Sequence, residues 1–131
     1  MLRLVAISIF GLMFLAEVGD IYGLLLTLAD PAPAADGFGI APATEDMRSS
    51  VLLIFALVVA GGALLAVAGL LVRRPALFHR GALACAIGYL LYGLFQVADG
   101  ALQVRSGLVV VAGLIYIVLG VIAYAMHRSA A

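Results

Sequence analysis

The chain of 131 residues is 66% hydrophobic and only 11% charged, with a mean hydropathy of +1.27. Soluble domains carry about 25% charged residues, so this composition excludes a soluble globule. Seven basic residues, all arginine, balance seven acids to a formal net charge of zero, which leaves no basic excess with which to hold nucleic acid.

Four apolar stretches follow one another: Leu4–Leu28, Val51–Val72, Leu83–Val97 with its flanks, and Gly107–Met126. A hydrocarbon core of about 30 Å needs about 20 helical residues at about 1.5 Å each, and every stretch reaches that length, the third once its flanks are counted. Barrel strands alternate in polarity, whereas these runs are uniformly apolar, so they read as helices. The expected architecture is all-α. It is a polytopic, antiparallel bundle of four transmembrane helices in one domain, with helices over about 3–28, 48–72, 77–103 and 106–127 and an outer loop over 30–48.

Helix one carries Glu17 and Asp20, one turn apart. A carboxylate at the centre of a spanning helix costs about 2.5–3.5 kcal/mol on insertion, so this pair is expected to face protein, water or a ligand and not lipid. The same two acids and the length of the apolar run argue against a cleavable signal sequence. The segment Asp30–Ser50 holds Pro31, Pro33 and Pro42, which are expected to exclude a helix, and Gly37 and Gly39, which suit turns. It is read as a cap or linker over the outer mouth, with Phe38 and Ile40 as an apolar plug. Asp46 is expected in the first turn of helix two and Ser106 as the N-cap of helix four. Pro75 marks a tight turn between helices two and three.

Orientation follows from the arginines. Arg3, Arg73, Arg74, Arg80 and Arg128 fall on one side with no acid among them, while Arg48 and Arg105 share the other side with all seven acids. The positive-inside rule then places both termini and the Arg73–Arg80 loop in the cytoplasm. Arg73, Arg74 and Arg80 are expected to meet lipid phosphates.

Helices associate in lipid through small residues that let backbones approach. Gly19 and Gly23 on helix one, Gly62 and Gly69 on helix two, Gly81 and Gly88 on helix three, and Gly113 and Gly120 on helix four are the expected packing positions. Tyr22-Gly23-Leu24 and Tyr92-Gly93-Leu94 form a weak internal echo, compatible with a duplicated helix pair.

On helix three, Tyr89, Tyr92, Gln96, Asp99 and Gln103 recur at spacings of three and four and so share a face. At about 1.5 Å per residue they reach depths matching Glu17 and Asp20. Arg48 and Arg105 stand at the outer mouth with side chains long enough to reach that level. The expected site is therefore an outward-facing acidic pocket built from Glu17, Asp20, Arg48, Tyr92, Gln96, Asp99, Gln103 and Arg105. Three readings fit it: a satisfied polar network that fixes register, a binding site for a lipid head group, amphiphile or partner helix, and a proton- or cation-coupled path. Catalysis, a metal or a cofactor is not implied, because His79 and His127 lie at the opposite membrane boundary from the acids and Cys85 stands alone.

Asp30-Pro31, Asp46-Met47-Arg48-Ser49, the Gly-rich second helix, Arg73-Arg74-Pro75-Ala76-Leu77 and the stretch from Gly88 to Asp99-Gly100 resemble a small bacterial inner-membrane family. It is known as domain of unknown function four-three-four-five and is distantly similar to DoxX-like four-helix proteins. The resemblance implies a multi-pass protein of the bacterial inner membrane, with Arg48 and Asp99 at matching motif positions as a pair; it implies no activity. The expected role is a non-enzymatic binding or accessory subunit in contact with lipids and with a membrane-protein partner or a second copy. The alternative is a small carrier that uses Glu17, Asp20 and Asp99.

Overall fold

The computed structural model describes residues 2–129, which form five helices: α1 (Leu2–Ala29), α2 (Ala32–Phe38), α3 (Pro42–Leu71), α4 (Pro75–Leu102) and α5 (Gly107–Ser129). α1, α3, α4 and α5 are each long and apolar enough to cross a membrane, so the protein is an all-α, multi-pass membrane protein. Two hydroxyls of α1 are turned onto their own helix: Ser8 donates to the Leu4 carbonyl at 2.8 Å and Thr27 to that of Gly23 at 3.1 Å.

The segment between α1 and α3 departs from expectation. Its prolines start helices where they were expected to exclude them. Pro33 sits in the first turn of α2 and Pro42 opens α3, positions where the missing N–H would have had no helical partner. α2 is closed by Gly39 in the left-handed conformation at φ 68°, whose N–H bonds the Asp36 carbonyl while Ile40 bonds that of Ala35. With α3 starting at Pro42, the acid in its first turn is Glu45, and Asp46 is exposed on the following position. Ser106 does precede α5, and its hydroxyl accepts from the Val109 N–H at 3.5 Å.

The helices pack as an arc. α1 lies on α3, α3 on α4 and α4 on α5. α4 is the most enclosed of the four and α1 and α5 the least, as expected of the middle and the two ends of an arc. Glycines set the inner seams. A Cβ on Gly62 would come within 2.7 Å of the Cys85 nitrogen, and Gly69 and Gly81 abut the backbones of Phe78 and Ala66. Gly88 meets Val59, and Gly120 meets Leu90. Gly93 and Gly113 face each other across α4 and α5, where an added Cβ on either would approach the other's carbonyl oxygen to 2.6–2.7 Å. Gly93 and Gly100, the latter against Val110, are packing positions beyond those expected.

Gly19 and Gly23 correct the expectation for α1: a Cβ on either would meet nothing within 4 Å. α1 packs through side chains instead, burying Ala6, Phe10 and Met13, of which Phe10 meets Phe78 and Met13 meets Cys85 of α4. The internal echo also fails as an equivalence, since Tyr22 is 66% exposed while Tyr92 is 2% exposed. The core at the terminal end is Phe10 edge-on to Phe78 at 5.8 Å, with Ala63, Ala66, Ala82 and Cys85 around them. The Cys85 thiol lies 3.9 Å from the Met13 sulfur. Arg3 ties α1 to the end of α3 by donating to the Leu70 and Leu71 carbonyls at 3.0 and 3.4 Å. These carbonyls have no partner within their own helix.

Candidate functional site

Two polar clusters stand where one pocket was expected. The first is held by ion pairs, with Asp99 Oδ1 buried and without a hydrogen-bond partner. Arg48 on α3 donates from Nε to Asp99 of α4 at 2.5 Å and from Nη1 to Glu45 at 2.8 Å, and Ser49 donates to the other Glu45 oxygen at 3.0 Å. All four residues are buried. Glu45, Arg48 and Ser49 are brought to one face by spacings of three and four along α3. α2 roofs this cluster: the Phe38 ring lies 4.8 Å from the Arg48 guanidinium carbon, over its face. An ion triad under an aromatic cover is a fastener between α3 and α4.

The second cluster is open. Asp20 on α1 accepts from the Tyr116 hydroxyl of α5 at 2.5 Å, which joins the two ends of the arc. Tyr116 in turn lies against two tyrosines of α4, its ring centroid 4.3 Å from that of Tyr92 and 5.6 Å from that of Tyr89. Glu17, one turn before Asp20, is 1% exposed and its Oε2 has no hydrogen-bond partner; neither has the Tyr89 hydroxyl or Gln96 Oε1. Buried polar atoms are nearly always paired, and among the described residues Asp99 Oδ1 of the first cluster and His127 Nδ1 at the terminal end are unpartnered as well.

Two separate grooves lie along the α1 and α5 sides of the arc, and Asp20, Tyr92, Gln96 and Tyr116 line one of them. The outer one, about 360 Å³, is lined by Asp20, Thr27, Tyr92, Gln96 and Tyr116, with Gly19 and Gly23 at its edge. The inner one, about 380 Å³, is lined by Ile9, Leu12, Met13, Ala16, Tyr89, Leu119 and Ile122. The openness at Gly19 and Gly23 thus has a place in the fold: those glycines border the outer groove and are not seam residues. Glu17 stands near the midpoint of α1, about 18 Å from its outer end at 1.5 Å per residue.

The remaining expected site residues separate from these two groups. Arg105 is exposed in the α4–α5 turn at φ 48°. Gln103 is exposed at the end of α4 and borders a shallow groove with Met47, Arg48 and Phe95. α4 ends at Leu102, so the three-and-four spacing that would have kept Gln103 on the pocket face stops short of it. At the terminal end, Arg73, Arg74 and Arg80 are exposed, and Arg3 and Arg73 border a cleft of about 430 Å³. His79 and His127 meet edge-on at 5.1 Å there, far along the helices from the acids. Among the described residues no three His, Cys, Asp or Glu side chains converge as a metal site.

Sequence reasoning passed over Tyr116 and Glu45. Tyr116 is one of two tyrosines in an apolar run, and nothing in its spacing signals Asp20, 96 positions earlier. Glu45 was hidden by the expected loop; its spacing to Arg48 becomes legible once α3 begins at Pro42. Compared with known proteins, the chain matches no family model, no curated protein and no solved structure.

Proposed function

We propose that this membrane protein is a non-enzymatic binding module that admits the alkyl part of an amphiphile from the bilayer into the apolar α1–α5 groove and holds its polar end at the Asp20–Tyr116 junction. The observation that carries this reading is a pair of grooves between α1 and α5, an apolar one toward the terminal end that Tyr89 borders and a more polar one toward the α2 end that Asp20 and Gln96 border, the Tyr89 hydroxyl and Gln96 Oε1 having no partner. Ligand sites combine an apolar body with a few convergent polar groups, and these grooves together have that make-up. Transport is the weaker reading, because the core around Phe10, Phe78, Ala82 and Cys85 fills the terminal half of the bundle and a carrier needs access from both faces.

In this reading the protein sits in a bacterial inner membrane with its termini in the cytoplasm and the polar groove toward the outer leaflet, and it serves as an accessory to a larger membrane assembly or to a second copy. Photolabelling tests the binding step. The protein in lipid nanodiscs is exposed to a neutral long-chain alcohol bearing a diazirine, and labelled peptides are mapped. Enrichment on residues 9–16 and 119–122, abolished by Ala16→Phe, is the expected result. Equal labelling of all lipid-facing residues, including Leu64 and Leu91, would overturn it. Gentle solubilisation followed by native separation and mass spectrometry tests the accessory role, which fails if the chain migrates alone.

A further inference from the structure

The acids gather toward the α2 end, and the arginines of the terminal end are left without them. Both ion pairs among the described residues belong to Arg48, so Arg3, Arg73, Arg74, Arg80 and Arg128 have no Asp or Glu partner. The acid nearest to Arg3 along α1 is Glu17, about 21 Å away at about 1.5 Å per residue. Two of these five arginines border one hollow. α1 begins, α3 ends and α4 begins around a cleft of about 430 Å³ lined by Arg3, Gly69, Leu70, Arg73, Pro75 and Phe78. Its volume lies within the range of small-ligand sites. Arg3 is held in place there, since Nε and Nη2 donate to the Leu70 and Leu71 carbonyls while the two protons of Nη1 are used by neither bond. Arg73 is fixed by its backbone. It is left-handed at φ 56°, and the Arg74 N–H bonds the Gly69 carbonyl at 2.8 Å, a helix ending that ordinarily takes glycine at this position. An arginine kept where glycine is easier points to a use for its side chain. The first turn of α4, an end that favours anions, starts at the edge of the same cleft with Pro75.

From this arrangement we infer that the Arg3–Arg73 cleft is a site for the phosphate of one anionic phospholipid, held between the two guanidiniums with the glycerol part against Leu70. The ends of spanning helices lie at the level of lipid head groups, and basic pockets between such helices take phosphate head groups. The sequence pattern pointed to Arg73, Arg74 and Arg80; the structure brings Arg3, 70 positions before Arg73, to the same cleft. A choline head group would bring its own cation against two guanidiniums and is held less well. The site is separate from the α1–α5 grooves, so its occupancy does not depend on the binding reading above.

Native mass spectrometry of the full chain in maltoside micelles tests this with dioleoyl phosphatidylglycerol, dioleoyl phosphatidylcholine and glycerol 3-phosphate. Phosphatidylglycerol is expected to bind at least about tenfold tighter than phosphatidylcholine, at about fivefold per arginine. Arg73→Gly keeps the left-handed turn, so it is expected to leave the unfolding midpoint unchanged or raised while weakening phosphatidylglycerol about fivefold. Should that variant not be recovered, Arg73→Asn, which also tolerates the left-handed region, makes the same measurement. Arg128→Gln removes one positive charge at the same end but from α5, across the arc from α1, and is expected to keep binding within about twofold. Arg3→Gln is expected to lower binding and stability together, because it also frees the Leu70 and Leu71 carbonyls, so the Arg73 variants carry the decision. Equal affinity for the two lipids, or equal losses in Arg73→Gly and Arg128→Gln, overturns the site in favour of diffuse attraction to a positive end. Displacement of phosphatidylglycerol by an equimolar amount of glycerol 3-phosphate overturns the lipid as occupant and leaves a site for free phosphate esters. Retention of the lipid against a large excess of glycerol 3-phosphate supports the lipid.

Discussion

Arg48 and Asp99 lie 51 residues apart in sequence and meet at 2.5 Å, with Glu45 on the other side of the same guanidinium at 2.8 Å. Removing one partner of a buried ion pair strands the other and costs about 3–5 kcal/mol, whereas an apolar replacement of the whole group is often tolerated. Asp99→Ala is therefore expected to destabilise the fold by about 3 kcal/mol. Glu45→Ala is expected to cost less, because Arg48 keeps Asp99. Replacing Glu45, Arg48 and Asp99 together by Leu, Met and Leu recovers most of the loss. Unfolding in mixed micelles with increasing dodecyl sulfate measures all three, and a D99A midpoint equal to that of the parent would show that the triad is not a fastener.

The glycine seams and the groove glycines respond oppositely to the same change. Gly93→Ala and Gly113→Ala each drive a Cβ to within 2.6–2.7 Å of the facing carbonyl oxygen, so each is expected to lose about 1–3 kcal/mol by overpacking. Gly19→Ala and Gly23→Ala meet nothing and gain helix propensity, with an expected change of zero to about 1 kcal/mol in favour of the fold. Thermal aggregation midpoints in detergent resolve the two classes. Destabilisation of all four would mean that α1 has a packed neighbour along that face.

Tyr116→Phe deletes one hydroxyl and leaves the tyrosine stack in place. The expected cost is about 1 kcal/mol, since polar contacts between membrane helices average about 0.6 and reach about 1.7 kcal/mol. Its effect is local: deuterium uptake rises in α1 from about Met13 to Thr27 and stays unchanged in α4, because Asp20 is the α1 residue that Tyr116 holds. A uniform rise across all helices would contradict a link confined to the two ends of the arc.

Cys85 is buried against Met13 and is expected to resist maleimide in the folded state and to react fully after dodecyl sulfate denaturation. In a Cys85→Ala background, Gly23→Cys at the edge of the outer groove is expected to label at once. The same background with Asp36→Cys on α2 and Ser129→Cys gives the orientation: a membrane-impermeant reagent outside intact cells is expected to reach only the first. Labelling of Ser129→Cys from outside would reverse the assigned sidedness.

The spans were legible because membrane insertion is a property of composition and length, which a sequence displays directly. The α2 end was not, because proline is disfavoured inside a helix and welcome in its first turn, and the residues alone do not say which of these Pro33 and Pro42 occupy. The acidic face of α4 was legible as a pattern, yet its members part company in space: Asp99 turns to Arg48, Gln96 and Tyr92 border the outer groove, and Gln103 falls beyond the helix end. Depth could be counted along each helix, but the order of helices around the arc could not. For this reason Asp20 was expected opposite Gln96 and Asp99, while its hydrogen-bond partner is on α5.

The bond between Asp20 and Tyr116 also orders events in biogenesis. α1 is made before its packing partner α3, and the tyrosine that satisfies Asp20 arrives with α5, 96 residues later. Until then two carboxylates reside on a newborn apolar segment that lipid alone does not accommodate well. The nascent chain therefore has reason to stay beside the insertion machinery until α5 emerges, so a truncation before Gly107 would leave a chain prone to extraction and degradation.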